Sequence, residues 1–387
     1  MRTAQRIAGL ASDIFTEMSR LRKQVEARGV KVINLGIGSP DQPPPAHVQE
    51  ALSRALANPR VYGYPTSEGT PEFRAAVAAW YKRRFNVDLD PATEVLTLMG
   101  SQDGLAHLAQ AFVDPGDIAL VPDPGYPIYS ASIILAGGVL HPLPLLEKNG
   151  FLPDFSQVKP EVSRKARMLI LNYPNNPVSA VADRDFFARA VAFAREYDLL
   201  LSNDLAYSEL TFDGYRPPSL LEIPGAKEVA VEFNSLSKTF NLAGCRIGYV
   251  VGNPMAIEAL ARVKSNIDYG VFVAVQQAGV AALTGPQEFT RENAAVYEHR
   301  RDVLLDGLAA AGWTIPKPKA TMFVWASVPP GFDSRSFAIA LLEKAGVAVI
   351  PGTGFGARGE GYVRIALVRD EETLREVVRR VEKSGLF

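Results

Sequence analysis

The first regular pattern along the chain sets Ile14, Met18, Leu21 and Val25 three or four residues apart, which predicts a helix over Asp13–Arg28 with Gly29 as its C-cap. A short strand follows in VINLGIGSPDQPPP, then a loop whose prolines can continue neither helix nor strand. From Glu94 the pattern changes, and short runs that are apolar at nearly every position alternate with stretches of helical periodicity. The runs Glu94–Met99, Ile118–Val121, Met168–Asn172, Leu199–Asn203, Val229–Phe233 and Arg246–Val250 read as strands. Gln102–Val113, Tyr126–Ala136 and Asp183–Tyr197 read as helices between them. Strands this uniformly apolar need cover on both faces, which implies a mostly parallel sheet between helical layers. Downstream, a long helix over Glu288–Ala311 leads to strands at Thr321–Ala326, Val347–Ile350 and Tyr362–Leu367 and to a closing helix over Glu371–Lys383.

The expected fold is therefore α/β: a large domain with a mostly parallel sheet flanked by helices, plus a smaller α+β domain built from both termini. Residues 1–45 would form an N-terminal arm and part of the small domain, 46–285 the large domain and 286–387 the rest of the small one.

Pro124 to Leu146 carries no Asp, Glu, Lys or Arg, a composition that raises the question of a membrane span. Its prolines, Gly137, Gly138 and His141 interrupt it, and the apolar centre from Ile128 to Leu140 is too short to cross, so it reads as buried helix, turn and strand. Arg2 and Arg6 precede only a short apolar stretch before Asp13, too little for a signal-peptide core, and the cytoplasm is the expected compartment. A chain of 387 residues can bury a large core without a staple, and its single cysteine, Cys245, excludes an internal disulfide framework and a Cys-rich zinc site. The four histidines show no ligand spacing, so no metal is expected. Forty-one Lys and Arg against 42 Asp and Glu leave a net charge of −1, which offers no electrostatic footprint for nucleic acid or an anionic membrane.

Ligands of open α/β sheets bind beyond the carboxyl ends of the strands, so the residues just past each predicted strand are the natural place to look for chemistry. Gly100, Ser101, Gln102 and Asp103 follow the first run and open a helix, where free N–H groups and a hydroxyl suit a phosphate, although a serine there is as readily a plain N-cap. YPNNP follows the third run and carries Asn176, by itself only a turn signal. Asp204 and Tyr207 follow the fourth, and Ser235, Ser237 and Lys238 the fifth, with Arg246 eight residues beyond the lysine. Taken singly, these read as a helix cap and a solvated charge. Together, phosphate donors, a carboxylate, a phenol, an amide and a lysine fit pyridoxal phosphate: the amine bonds the aldehyde, the carboxylate keeps the ring nitrogen protonated, and the amide and phenol meet the ring oxygen.

SLSKTFNLAGCRIGY resembles the lysine motif of the class I pyridoxal-phosphate aminotransferases, of the fold-type I superfamily. The resemblance runs in order through VINLGIGSPD, YGYPTSEGTPEFR, MGSQDGL, PDPGYPIY, NYPNNPVSA, NDLAYSEL and YVRIALV, nearly the whole chain. It implies that Lys238 is the cofactor-bonding lysine and proton-transfer base, Asp204 the partner of the ring nitrogen, and Tyr207 and Asn176 the ligands of the ring oxygen. Tyr126 would stack on the ring face, while Ser101, Gln102, Ser235, Ser237 and Arg246 would form the phosphate cup. Arg364 would clamp the substrate α-carboxylate with its guanidinium fork, a backbone contact from Gly38 assisting. Tyr64 would reach the phosphate held by a neighbouring subunit, making the working unit a homodimer.

Two positions depart from the family pattern. The usual Asn-Pro-Thr-Gly reads Asn176, Pro177, Val178, Ser179, so the turn after the ring-contacting Asn must be built without glycine. Cys245 stands where relatives often have Trp, and reads as a buried small thiol. LEKNGFLPDF, the stretch from FDGYRPPSLLEIPGAKEV and VKSNIDYGVF are similar to LL-diaminopimelate aminotransferases, which act in lysine biosynthesis with 2-oxoglutarate as acceptor, while Tyr269 stands where that group more often has a small residue. Alanine–glutamate enzymes share part of the last segment, so alanine, aspartate and N-succinyldiaminopimelate stay open as donors. The same scaffold and cofactor also serve β-eliminating lyases, because the cofactor breaks the bonds. Aminotransferase-like sensor domains of transcription regulators carry an added DNA-binding domain, for which the stretch ahead of VINLGIG is too short.

Overall fold

The computed structural model of the protein describes residues 1–10 and 13–387, so part of the apolar stretch ahead of Asp13 lies outside the described residues. Its strands are β1 (Ile33–Asn34), β2 (Val95–Leu98), β3 (Ile118–Asp123), β4 (Val139–Pro144), β5 (Ala166–Asn172) and β6 (Leu200–Asp204). They continue with β7 (Ala230–Ser235), β8 (Gly248–Gly252), β9 (Phe323–Ser327), β10 (Val347–Ala348), β11 (Ile350–Pro351) and β12 (Tyr362–Ala366). Seven of these form one sheet in the order β2-β8-β7-β6-β5-β3-β4. Every neighbouring pair is parallel except those made by β8, which runs antiparallel to β2 and β7. The α/β class and the mostly parallel sheet expected from the sequence are what the chain adopts.

The uniform apolarity of these strands follows from cover on both sides. On β5, Leu169 and Leu171 face a core shared with helices Pro71–Phe85 and Arg184–Tyr197, where Phe73, Trp80, Phe186 and Phe187 are buried. Met168 and Ile170 point the other way, into a core with helices Ser101–Phe112, Pro127–Ala136 and Pro254–Ser265. Alternation along a strand sends neighbours to opposite faces, and each fully buried Leu, Ile or Phe stabilises by about 1.5–3 kcal/mol relative to exposure. Pro124 to Leu146 folds as the expected helix, turn and strand: Pro127–Ala136, Gly137 at φ +86°, then β4.

Beyond this sheet, β11, β12 and β9 pair antiparallel in a second, three-stranded sheet, and β1 pairs in parallel with β10. Both pack with helices Asp13–Ala27, Glu288–Ala310 and Glu371–Lys383 around a core that includes Met18, Leu304, Ile365 and Leu374. Tyr207 and Phe323 belong to that core as well, so the segment after β6 joins the two sheets. Among the described residues no helix is long and apolar enough to cross a membrane.

Most strand ends lie one or two residues from expectation, and the expected strand Val347–Ile350 divides into β10 and β11; two of the shifted ends lie beside the cavity described below. β7 runs on to Ser235, and β8 starts only at Gly248 because Arg246, at φ +52°, is left-handed and cannot lie in a strand. Gly248 passes close under the turn at Gly100–Ser101: a Cβ there would lie 2.7 Å from the Asn234 carbonyl oxygen and 2.8 Å from the Ser101 nitrogen. Gly248→Ala should therefore displace that turn and cost about 1–3 kcal/mol as overpacking, seen as a lower melting temperature. Gly244→Ala, with open space around it, should melt like the wild type. Equal melting of both variants would show that the turn can yield.

Candidate active site

Because β2, β3, β5, β6 and β7 run in the same direction, their carboxyl ends open on one edge of the sheet, and antiparallel β8 starts at that edge, so Arg246, just ahead of Gly248, lies there too. A cavity of about 310 Å³ lies there, lined by Ser101, Gln102, Tyr126, Asn176, Asp204, Tyr207, Ser235, Ser237, Lys238 and Arg246. Gly36, Ile37, Gly38, Phe323 and Arg364 close it from the side of the second sheet. Of the residues expected to hold cofactor or substrate, Tyr64 lies elsewhere.

Asp204, the last residue of β6, is 5% exposed. Its carboxylate accepts from the Tyr129 hydroxyl at 2.8 Å and the Ala206 N–H at 3.2 Å, with no cation among its partners within the described residues. Burial outweighs those two bonds and pushes its pKa up to about 6. Tyr129 comes from helix Pro127–Ala136, on the face turned to the sheet, and the sequence pattern showed it only as one more apolar position of that helix. On the neighbouring strand Asn172 donates to the Asp204 carbonyl at 2.6 Å and accepts the Asn176 N–H at 2.7 Å, so one buried amide sets the end of β6 and the turn after β5 together.

That turn has the shape a glycine would give it. Ser179 takes a left-handed φ of +58°, rare for a residue with a Cβ. Its hydroxyl donates to the Phe323 carbonyl at 2.8 Å and lies 2.9 Å from Thr321 Oγ1, bonds that offset the backbone cost. Asn176 accepts from Arg364 Nη1 at 2.8 Å, and the Gly36 carbonyl accepts from Nη2 at 2.9 Å. The guanidinium lies between two aromatic rings, its carbon 4.1 Å from the centre of Phe323 and 4.5 Å from that of Phe355. Arg364 Nε is buried with no partner. Burial lowers the Arg364 pKa to about 10, still fully charged at neutral pH.

Lys238 Nζ donates to the Gly38 carbonyl at 2.7 Å. Burial, then the nearby charges of Arg364 and Arg246, lower its pKa to about 8, which keeps a usable fraction of free amine at neutral pH. The phosphate side is open in the way an anion requires. Helix Ser101–Phe112 starts after Gly100 with no side-chain cap, so its first N–H groups stay free, and the Ser101 hydroxyl is not spent as a cap. A Cβ at Gly100 would sit 2.5 Å from Arg246 Nη2. Two guanidiniums, free N–H groups at a helix start, a carboxylate short of a counter-charge and a reactive amine fit pyridoxal 5′-phosphate, whose phosphate, ring nitrogen and aldehyde call for those groups.

Comparison with known proteins agrees with this chemistry. The family model for aminotransferase class I and II matches residues 30–381. A protein named LL-diaminopimelate aminotransferase from Moorella thermoacetica is 52% identical over 99% of this chain and 98% of its own. One of the same name from Desulforudis audaxviator is 52% identical over 98% of this chain and 96% of its own. Among solved structures, substrate-bound BacF from Bacillus subtilis superposes with a TM-score of 0.96 at 41% identity, over 100% of this chain and 98% of its own. A probable N-succinyldiaminopimelate aminotransferase from Thermus thermophilus gives 0.92 at 41%, over 96% and 100%.

Asp204 gives a pH dependence of defined sign. Its pKa in the folded, cofactor-free chain is raised above the unfolded value, so its contribution to stability is fully present below about pH 4 and is lost as pH rises through about 6. In denaturant melts of cofactor-free protein, wild type should lose about 3 kcal/mol relative to Asp204→Asn between pH 4 and pH 7. A constant difference would mean that Asp204 is not short of a counter-charge.

Proposed function

The chain belongs to the class I and II aminotransferases, enzymes that work with pyridoxal 5′-phosphate, and we propose that its reaction moves the amino group of LL-diaminopimelate to 2-oxoglutarate. The observation that carries the donor is the name shared by relatives 50% and 52% identical over nearly the whole chain. The Thermus protein, at 41%, makes the N-succinyl derivative the second reading.

Pyridoxal phosphate, when bound, supplies an aldehyde for covalent attachment and a ring that draws electrons from the substrate α-carbon. The chain's own groups divide the remaining work. Lys238 would hold the cofactor covalently, and its Nζ would take and return the substrate α-proton. Asp204 holds a proton at the ring nitrogen, where an opposite charge removes the cost of its burial. Tyr207 and Asn176 hydrogen-bond the ring oxygen, and Tyr126 covers the ring face. Ser101, Gln102, Ser235, Ser237 and Arg246 hold the phosphate. Arg364 binds the substrate α-carboxylate. Support for this last role comes from its free Nε and from Asn176 and Gly36, which fix the orientation of the fork. Gly38 must stay glycine for the loop to approach, since a Cβ would strike the Phe323 ring.

The same reading makes the working unit a homodimer of the cytoplasm. Tyr64 is 89% exposed and packs on Tyr269, ring centroids 5.1 Å apart, outside its own chain's cavity. With exposed Tyr62, Ile267 and Phe272 it forms an apolar aromatic platform of the kind that a second copy covers, bringing Tyr64 to the neighbouring phosphate.

Borohydride reduction of the holoenzyme followed by peptide mapping should label Lys238, and Lys238→Ala should retain noncovalent cofactor while losing at least 1000-fold in turnover. A label on any other lysine refutes the assignment. For the donor, kcat/KM with 2-oxoglutarate should be highest for LL-diaminopimelate among that compound, its N-succinyl derivative, alanine and aspartate. Sites that bind polar ends reject analogues lacking them, so the margin over alanine should exceed 100-fold. If alanine or aspartate is preferred, the donor reading fails and the aminotransferase assignment stands.

A further inference from the structure

Lys264 is remote from the cavity and takes no part in the chemistry above, yet its side chain is 1% exposed. A buried ammonium is costly unless it is paired, and this one is paired twice. Nζ lies 2.8 Å from Asp103 Oδ2 and 2.8 Å from both carboxylate oxygens of Asp268.

The two carboxylates belong to different parts of the site. Asp103 stands in the first turn of helix Ser101–Phe112 and accepts the Met99 N–H at 2.9 Å, so it braces both sides of the Gly100–Gln102 turn that opens the phosphate cup. His107 Nδ1 lies 2.9 Å from its other oxygen. Against the upward push of burial, the adjacent His107 ring and the Lys264 ammonium hold the Asp103 pKa down to about 2. Asp268 precedes Tyr269 and accepts the Gly270 N–H at 2.6 Å. Gly270 in turn presses on the Thr66 carbonyl, leaving no room for a Cβ. Gln276 ties the same pair of loops, accepting the Thr70 N–H at 2.7 Å and donating to the Val271 carbonyl at 2.6 Å. The loops bearing Tyr64 and Tyr269 are thus one body, and Lys264 is its charged link to the phosphate helix.

We propose that Lys264 is a positioning residue that couples the phosphate cup to the aromatic platform, so that filling the cup and covering the platform with a second copy of the chain reinforce each other. The coupling rests on the dimeric, cofactor-bound reading above. Breaking one arm of the triad should uncouple the two events without destroying either surface. By linkage, a cofactor that tightens subunit association must itself bind more tightly to the dimer, by the same factor.

The test measures the subunit dissociation constant of the full-length protein by sedimentation equilibrium, with and without saturating pyridoxal phosphate. For wild type the cofactor should tighten association at least tenfold. In Asp268→Asn, which keeps the Lys264–Asp103 pair and releases only the loop, that factor should fall at least threefold below the wild-type value, the remainder being the direct contact of Tyr64 with the neighbouring phosphate. Lys264→Met should do the same if it folds, and Asp268→Asn alone decides if it does not. A variant factor equal to that of wild type, even with a lowered melting temperature, overturns the coupling and leaves the dimeric reading standing. A wild-type factor of one overturns the coupling as well. A wild-type holoenzyme that stays monomeric overturns the dimeric reading itself.

Discussion

Asp204 lies at the end of a central strand with a phenol and one backbone N–H for partners, and among the described residues no cation pairs with it. Much of the surrounding arrangement follows from that deficit. A carboxylate sealed in low dielectric holds a proton unless an opposite charge is brought to it, which is why its pKa stands near 6. On the proposed reading, a protonated ring nitrogen of the cofactor would be the charge the site lacks. Its binding would repay a cost already present in the free protein, and Asp204 would keep the ring electron-poor. Tyr129 and Asn172 hold the carboxylate and its strand end so that the repayment occurs in one geometry.

The cations across the cavity carry the complementary tension. Arg364, Arg246 and Lys238 are close enough that the first two depress the third. On the proposed reading the depression would help catalysis, because an amine near its pKa at neutral pH can both attack an aldehyde and exchange a proton. Arg364 avoids the same fate through its chemistry: a delocalised guanidinium between Phe323 and Phe355 stays charged at a depth where an ammonium would be far costlier. The two aromatic faces also leave it few orientations, so its fork is set before any substrate arrives.

How much of this could be read from the chain depends on how local each signal was. Asp204, Lys238, Asn176 and Ser101 stood out because each follows an apolar strand within a few residues, and strand ends in a parallel sheet converge. Tyr129 did not, since a buried tyrosine in an apolar helix has the same pattern whether or not its hydroxyl meets a carboxylate. Phe323 and Phe355 were equally silent, because their task depends on Arg364 arriving from β12. Lys264 and Asp103 are 161 residues apart, and nothing in either neighbourhood marks them as a pair. The turn at Val178–Ser179 lay between these cases. Sequence showed that glycine was missing, and only the contacts of Ser179 with β9 and Thr321 show what replaces it.

The cavity also bears on where donors can be told apart. At about 310 Å³ it is at the lower end of the range for cofactor and small-molecule sites. On the proposed reading the cofactor fills most of it, and Arg364 holds the one group that all amino-acid donors share. A clamp on a common carboxylate binds every donor alike and gives no discrimination. Selection must then act on the distal end of the substrate, which is pushed toward the mouth where Ile37, 62% exposed, and Gln102 stand. Donor choice therefore rests on groups beyond the strand ends that carry the shared chemistry, which is why the motifs that reveal the reaction leave the donor to relatives.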